Sequence, residues 1–212
     1  MPSTTTYNKR LLDGNERFRK NDTAYAGLAG AQHPKVVMLA CSDSRVDPVK
    51  ITDSALGELF VVRSIGGAVD QSIIASIEYP IEHLGVGELA VIGHTGCGAV
   101  TAAQKMLAAG MVGGAEQEDG SAFHRTIAGI RRGISKNSTQ NIVDLEHAVI
   151  DNAIAQAQKV TESSAIVKEA LAKGRLLISI WLYDIRDGRL SMVKVGSYNE
   201  RSGALSFDDS TG

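Results

Sequence analysis

Short apolar runs alternate with amphipathic segments along most of this chain, and the alternation limits the folds that it can adopt. An apolar run of about four to eight residues suits a buried strand, and a longer segment with apolar positions about every 3.6 residues suits a helix. Strands that are separated by helices usually lie parallel in one sheet. The pattern therefore predicts an α/β fold with a mostly parallel sheet flanked by helices.

Five strands are predicted, and four of them are parallel. The parallel strands cover residues 35–41, 59–63, 89–93 and 176–183. The pair Asp187-Gly188 is a hairpin signal, so a fifth strand over residues 190–195 should run antiparallel at an edge of the sheet. Four glycines between positions 110 and 120 predict a surface loop. Helices are predicted over residues 5–20, 70–84, 98–107, 141–159 and 163–173.

Length and charge limit the number of domains in the chain and the classes of partner that it can bind. The 212 residues fit one domain, residues 1–212, and no internal repeat or shift in composition marks a second. Residues 1–20, which include the predicted helix over 5–20, have few apolar positions, and we expect them to form a helical arm that packs on a partner subunit. The net charge of −2 gives no electrostatic reason to bind nucleic acid or an anionic membrane.

Three features of the sequence favour a cytoplasmic location. No apolar run approaches the roughly 18 residues that a membrane span needs. The first residues lack the apolar centre of a secretory signal. Two cysteines are too few for a disulfide framework. We therefore expect a reducing, cytoplasmic environment.

Both cysteines stand at the ends of predicted strands. Cys41 closes the first apolar run, and Cys97 follows His94 by three positions in a glycine-rich turn after the third run. The carboxyl ends of neighbouring parallel strands meet in one crevice, so two sulfurs and one imidazole should come together there. These ligands suit zinc, and a set of three leaves one coordination position open, as in catalytic zinc sites. The chain has no third cysteine that could close the set.

Asp43 and Arg45 follow the first cysteine directly, in the sequence CSDSR. Two thiolates neutralise the charge of a zinc ion, so such an ion makes water less acidic than a three-histidine site does. A neighbouring group that orients the reactive hydroxide is then needed. The carboxylate of Asp43, steadied by Arg45, is well placed to be that group.

These motifs resemble those of a known family. The run CSDSRVDP together with EYPIEHLGVGELAVIGHTGCG is similar to the paired signature of the β-class carbonic anhydrases. The resemblance implies one Zn²⁺ per chain, held by Cys41, His94 and Cys97. It also implies that Asp43, held by Arg45, accepts a hydrogen bond from the zinc-bound hydroxide. In some members of the family the matching aspartate becomes a fourth metal ligand.

The same resemblance implies a substrate pocket that two subunits share in a homodimer or homotetramer. The pocket residues would be Gln32, Phe60, Ile65, Tyr79 and Gly98, with Phe60 and Tyr79 coming from the neighbouring subunit. Helical periodicity supports the partner independently, because Tyr79 lies nearly opposite the apolar stripe of its own helix. That stripe consists of Ile73, Ile74, Ile77, Ile81 and Leu84.

The activity that the resemblance implies is hydration of carbon dioxide to bicarbonate by a zinc-bound hydroxide. Two alternatives stay open. Some relatives on this fold hydrolyse carbonyl sulfide or carbon disulfide, and residues near the pocket, such as Ser64 and Pro80, depart from the family pattern. A non-catalytic zinc or redox-sensing module could instead use Cys41 and Cys97 as a switch. Such a module would need no group like Asp43 to orient a hydroxide.

Overall fold

A computed structural model describes residues 4–21, 24–109, 121–137 and 144–210 of the chain. Contacts divide the chain into two compact units, Met1–His33 and Pro34–Gly212. The first unit contains helices α1 (Thr4–Asn21) and α2 (Ala24–Gly27), and the rings of Phe18 and Tyr25 lie 6.0 Å apart within it. Helix α1 extends the predicted helix by one residue at each end. Its packing on a partner subunit stays a prediction.

Six described strands form one sheet in the second unit, in the order β2-β1-β3-β4-β5-β6. Strands β1 to β4 pair in parallel, and β5 and β6 add antiparallel pairs. The predicted α/β class with four parallel strands is therefore confirmed, and each parallel strand lies within one residue of its predicted bounds. The strands are β1 (Val36–Cys41), β2 (Leu59–Ser64), β3 (Glu88–His94), β4 (Leu177–Tyr183), β5 (Leu190–Asn199) and β6 (Ala204–Asp209).

The expectation that the fifth strand lies at an edge is wrong. A turn containing Gly188, at a φ of 79°, joins β4 to β5 as predicted. Strand β5 is longer than predicted, however, and β6 pairs along its outer side. Strand β6 escaped prediction because it is short and only Ala204, Leu205 and Phe207 among its residues are apolar. The edges of the sheet are therefore β2 and β6.

The helices of the second unit largely follow the predicted pattern. Helix α7 begins at Leu145, after the capping residue Asp144, and not at position 141. The expected glycine-rich loop over residues 110–120 and positions 141–143 lie outside the described residues. The helices are α3 (Pro48–Ile51), α4 (Gln71–His83), α5 (Gly98–Ala108), α6 (Ala122–Asn137), α7 (Leu145–Ser163) and α8 (Ala165–Ala172), with a short 3₁₀ turn at Ile65–Gly67.

Helix α6 was not predicted, although its apolar face has helical spacing. Ile127, Ile130 and Ile134 fall on one side of the helix and are fully buried. Gly129 and Gly133 obscured the pattern because glycine disfavours helices. A Cβ at Gly133 would lie 2.7 Å from the Cβ of Ala155 on α7, so the glycine permits close packing of the two helices.

The main core lies between the sheet and helices α4, α7 and α8. Alternation along β1 places Val37 and Leu39 in this core, and Cys41 continues the same face at the end of the strand. There the sulfur joins a second apolar cluster formed with α5, α6 and α7. Within the described ranges, no helix is both long enough and apolar enough to cross a membrane.

Candidate zinc centre

The three soft ligands predicted from the sequence lie together at the carboxyl ends of two neighbouring strands. Cys41 is the last residue of β1, His94 is the last residue of β3, and Cys97 precedes the first residue of α5. Their ligand atoms all lie within 4.8 Å of one another, and all three residues are buried. Parallel pairing of β1 with β3 accounts for the convergence, because it brings the two strand ends to the same edge.

The ring of His94 presents a nitrogen that has no other role in the fold. Its Nδ1 lies 3.0 Å from the carbonyl oxygen of Thr95, which can only accept a hydrogen bond, so Nδ1 carries the proton. Nε2 is then left with a lone pair, as in most metal-bound histidines. Among the described residues, this Nε2 is the single buried side-chain nitrogen or oxygen without a hydrogen-bond partner. A buried, unpaired acceptor between two sulfurs fits a bound cation.

The thiol of Cys41 is more acidic than the thiol of Cys97. The sulfur of Cys41 accepts the backbone amides of Asp43, at 3.4 Å, and of Gly66, at 3.3 Å. The pKa of Cys41 is lowered to about 4, mainly by its contact with Cys97 and also by contacts with His94 and the two amides, although burial opposes the shift. The same contact, together with burial, raises the pKa of Cys97. A divalent cation would displace the remaining proton, since thiols bind metal as thiolates.

Asp43 and Arg45 form a close ion pair beside the first sulfur. The guanidinium donates to both carboxylate oxygens, at 2.9 Å from Nε and 2.7 Å from Nη2, and the Arg45 amide donates a third bond at 3.0 Å. These bonds hold the pKa of Asp43 well below its usual range. The group is therefore a carboxylate with a fixed direction, and it can only accept hydrogen bonds.

Arg63, which the sequence analysis did not single out, holds the turn that carries these groups. Its Nε donates to the carbonyl of Cys41 at 3.0 Å, and its Nη2 donates to the carbonyl of Asp43 at 2.7 Å. The register of β2 against β1 places Arg63 opposite Ala40, one residue before the metal ligand. One side chain therefore fixes the backbone on both sides of the turn.

A row of polar side chains on α7, with Asn152 and Gln156 buried, holds the loop that follows β2. Asn152 donates to the carbonyl of Gly66 at 2.8 Å, and Gln156 donates to Asn152 at 3.0 Å. Gln156 also accepts the amide of Val69 at 2.9 Å, and Lys159 donates to the carbonyl of Val69 at 2.6 Å. The spacing of these three residues, at i, i+4 and i+7, places them on one helix face, and this spacing is the signal by which the sequence could have shown them.

Three of the predicted pocket residues are exposed to different degrees. Ile65 follows β2, beside Gly66, and is 38% exposed. Gly98 is the first residue of α5, and a Cβ built on it would meet no described atom within 4 Å, so open space lies beside Cys97. Gln32 is exposed in the first unit, outside regular secondary structure. Its binding role stays a prediction.

Phe60 and Tyr79 lie near each other but not beside the metal group of their own chain. Their ring centroids are 6.1 Å apart, and Tyr79 is 45% exposed. Phe60 pairs with Val37, whereas Ser64 pairs with Cys41, so four residues separate the aromatic from the level of the metal ligand. At roughly 3.3 Å per residue, the separation along the strand is about 13 Å.

The fold and the group of ligands define a class of zinc protein in which a sheet crevice holds an open Cys₂His site. The profile of the carbonic anhydrase family matches residues 36–190. The chain belongs to the β-carbonic anhydrase family. Zinc is the cofactor of this family, and Cys41, His94 and Cys97 form a group that can hold one such ion.

Relatives match most of the chain. Carbonic anhydrase 2 of Mycobacterium tuberculosis is 35% identical over 191 residues, which cover 85% of this chain and 88% of the relative. A carbonic anhydrase of Pseudomonas aeruginosa is 32% identical over 191 residues, covering 85% of this chain and 84% of the relative. The solved β-carbonic anhydrase of Coccomyxa, in complex with acetazolamide, is 27% identical with a TM-score of 0.73. The match covers 95% of this chain and 91% of the Coccomyxa chain.

Proposed function

We propose that this protein hydrates carbon dioxide to bicarbonate at a zinc ion held by Cys41, His94 and Cys97. The observation that carries the proposal is the buried, unpaired Nε2 of His94 between two sulfurs, beside a fixed carboxylate. When bound there, zinc supplies Lewis acidity, which makes water reactive near neutral pH.

The residues of the chain orient the reactants. The carboxylate of Asp43 accepts a hydrogen bond from the attacking water and so directs its lone pair toward the substrate carbon. Arg45 keeps this carboxylate ionised and aimed. The amide of Gly98, at the first position of α5, has no acceptor within the helix and is proposed to stabilise the anionic product. The amide of Gln32 is proposed as a further donor to that anion.

Two other activities find less support. Hydrolysis of carbonyl sulfide would use the same ligands, and no observation favours it over hydration of carbon dioxide. A zinc or redox sensor would use Cys41 and Cys97, but it gives no reason for the three hydrogen bonds that fix Asp43 beside them.

A homo-oligomer and a cytoplasmic location belong to the same proposal. The distance of Phe60 and Tyr79 from the metal group of their own chain supports a pocket that a second copy completes. One matched chain, 25% identical with a TM-score of 0.69, comes from the crystal structures of two tetrameric β-carbonic anhydrases of Sordaria macrospora, and we propose a dimer or tetramer here. That match covers 89% of this chain and 96% of the relative. A reducing compartment would keep both cysteines available to the metal.

The test combines metal analysis with two substrates. Purified protein should contain about one zinc per chain and hydrate carbon dioxide in a stopped-flow assay, and Cys97→Ala should lose both properties. His147→Ala is the matched control, because it removes an exposed histidine far from the ligands in sequence. Turnover of carbonyl sulfide without hydration of carbon dioxide would contradict the proposal that carbon dioxide is the substrate. A zinc-loaded protein that acts on neither substrate would contradict the proposal that the protein is an enzyme of this kind.

A further inference from the structure

The turn after β4 repeats the Asp-x-Arg arrangement of the turn after β1. Arg186 donates to both carboxylate oxygens of Asp184, with a shortest distance of 2.6 Å, and its backbone amide donates to Oδ1 at 2.9 Å. The Asp43–Arg45 pair has the same three kinds of bond. Because β1 and β4 both neighbour β3, the two pairs flank the strand that carries His94. The mechanism uses the first pair and leaves the second without a role.

The Asp184–Arg186 pair is hydrogen-bonded to Thr95, the residue that follows the histidine ligand. Thr95 Oγ1 donates to Asp184 Oδ1 at 3.1 Å and accepts the amide of Ile185 at 3.1 Å. The backbone amide of Thr95 donates to the carbonyl of Tyr183 at 3.0 Å. Thr95 is therefore fixed to the end of β4 through its side chain and through its backbone, and it is buried.

The carbonyl of Thr95 completes the connection, since it is the partner of His94 Nδ1 at 3.0 Å. The direction of that carbonyl sets the tautomer and the tilt of the imidazole. We propose that Thr95, Asp184 and Arg186 are positioning residues of the zinc centre. Arg186 fixes Asp184, Asp184 fixes Thr95, and the Thr95 carbonyl aims His94 Nε2 at the metal position between the sulfurs. The proposal rests on the zinc centre and not on the reaction, so metal binding tests it without a substrate.

The size of the effect follows from other metal sites. Loss of a group that hydrogen-bonds directly to a metal-bound histidine typically weakens metal affinity about 10- to 100-fold. Thr95 keeps its carbonyl in any side-chain variant, so only the aim of the carbonyl is lost. We therefore expect the lower end, about a tenfold faster zinc dissociation.

The first experiment compares Thr95→Val with Thr95→Ser. Valine keeps the shape of threonine without the hydroxyl, and serine keeps the hydroxyl, so serine should restore what valine loses. The rate of zinc release to a chromophoric chelator and the visible spectrum of the cobalt-substituted protein are the readouts. Thr95→Val should release zinc about tenfold faster and shift the cobalt bands, and Thr95→Ser should match the wild type.

A second set of variants removes the side chains that hold Thr95. Asp184→Ala should accelerate zinc release as Thr95→Val does. The double variant, Asp184→Ala with Thr95→Val, should release zinc no faster than either single variant, because both substitutions remove the same hydrogen bond. Arg186→Ala should have a smaller effect in the same direction. Arg189→Ala is its control, since it removes a charge from the same turn that contacts Asp187 instead. Zinc release within twofold of the wild type in Asp184→Ala, or additive effects in the double variant, would overturn the proposal.

Discussion

At the scale of single residues, the direction of one carboxylate matters most. Asp43 is ionised and held by three hydrogen bonds from Arg45, so its free lone pairs can only accept. Asp43→Asn keeps the shape but offers the attacking water a donor in place of an acceptor. We expect turnover of carbon dioxide to fall at least about tenfold, with zinc content retained.

Zinc content distinguishes an orienting role of Asp43 from a role in holding the zinc site together. Asp43→Asn should carry as much zinc as the wild type, whereas Cys97→Ala should carry little. Arg45→Lys tests whether the direction of the Asp43 carboxylate matters, because lysine keeps the charge but cannot donate the paired bonds of a guanidinium. This variant should also lose turnover while it retains zinc. Unchanged turnover in Asp43→Asn would remove this residue from the proposed mechanism.

Two adjacent glycines provide a residue-scale test of packing around the first sulfur. Gly66 and Gly67 have φ values of 62° and 68°, so alanine at either position should cost about 1–2 kcal/mol in backbone strain. A Cβ on Gly66 would also lie 2.8 Å from Ile130 Cδ1 and 3.0 Å from Ala99 Cβ, whereas one on Gly67 would meet nothing within 4 Å.

We therefore expect Gly66→Ala to lower the free energy of unfolding by about 1–3 kcal/mol more than Gly67→Ala does. Because the Gly66 amide donates to the sulfur of Cys41, Gly66→Ala should also speed zinc release. Chemical denaturation and the chelator assay measure the two effects. Equal destabilisation by both substitutions would show that the site tolerates the added methyl group.

The metal group was predictable from the sequence, and the residues that support it were not. Cys41 and His94 could be brought together because parallel strands end at one edge of a sheet. Arg63 and Asn152 bond to backbone carbonyls, whose positions depend on strand register and on the packing of α7. Their side chains carry no sequence signal of such a contact, so only the folded chain shows it.

At the scale of secondary-structure elements, the acidic cap of α4 links stability to pH. Asp70 Oδ1 accepts the amide of Ile73 at 2.9 Å and the hydroxyl of Ser72 at 2.8 Å. The bond from Ile73 is the main reason that the pKa of Asp70 is lowered in the folded state. A lowered folded pKa means that this stabilisation is present above the unfolded value of about 3.9. It is lost as the pH falls through the folded value.

Asp70→Ala should accordingly lower the free energy of unfolding by about 1 kcal/mol at pH 7. The difference from the wild type should shrink as the pH falls below about 4. Asp70→Asn is the control, because asparagine caps a helix without titrating and should stay close to the wild type at neutral pH. Urea unfolding at several pH values gives each difference, and any acid loss of zinc is common to all three proteins. A difference between Asp70→Ala and the wild type that does not change with pH would contradict the assignment.

Elements with regular apolar periodicity were predictable, and those that depend on a partner element were not. The stripe of α4 was predicted with Ile77 and Ile81 inside, and both are buried. Helix α6 needs Gly133 for its approach to α7, and this glycine weakens the helical pattern. Strand β6 forms because β5 offers it an edge, which a short polar segment does not reveal by itself.

At the scale of the whole molecule, an edge strand of the sheet lies beside an aromatic pair, of which Tyr79 is exposed and Phe60 is half-buried. Strand β2 is one edge of the sheet, and Phe60 on it lies 6.1 Å from Tyr79 on α4. Phe60 lies far along β2 from the ligands of its own chain, as the register with β1 shows, and Tyr79 lies beside Phe60. They can wall a substrate pocket only if that pocket belongs to a second copy.

Mixed oligomers test this directly. Cys97→Ala should abolish its own metal site but keep its aromatic walls, and a double variant, Phe60→Ala with Tyr79→Ala, should keep its metal but lose the walls. If walls come from the partner, a mixed dimer contains one intact site, which combines the metal of the second variant with the walls of the first. Equal amounts of the two weakly active proteins, after subunit exchange, should then recover about a quarter of wild-type activity. Each variant exchanged with itself is the control. No gain in the mixture, with mixed dimers verified by mass spectrometry, would show that each chain builds its own pocket.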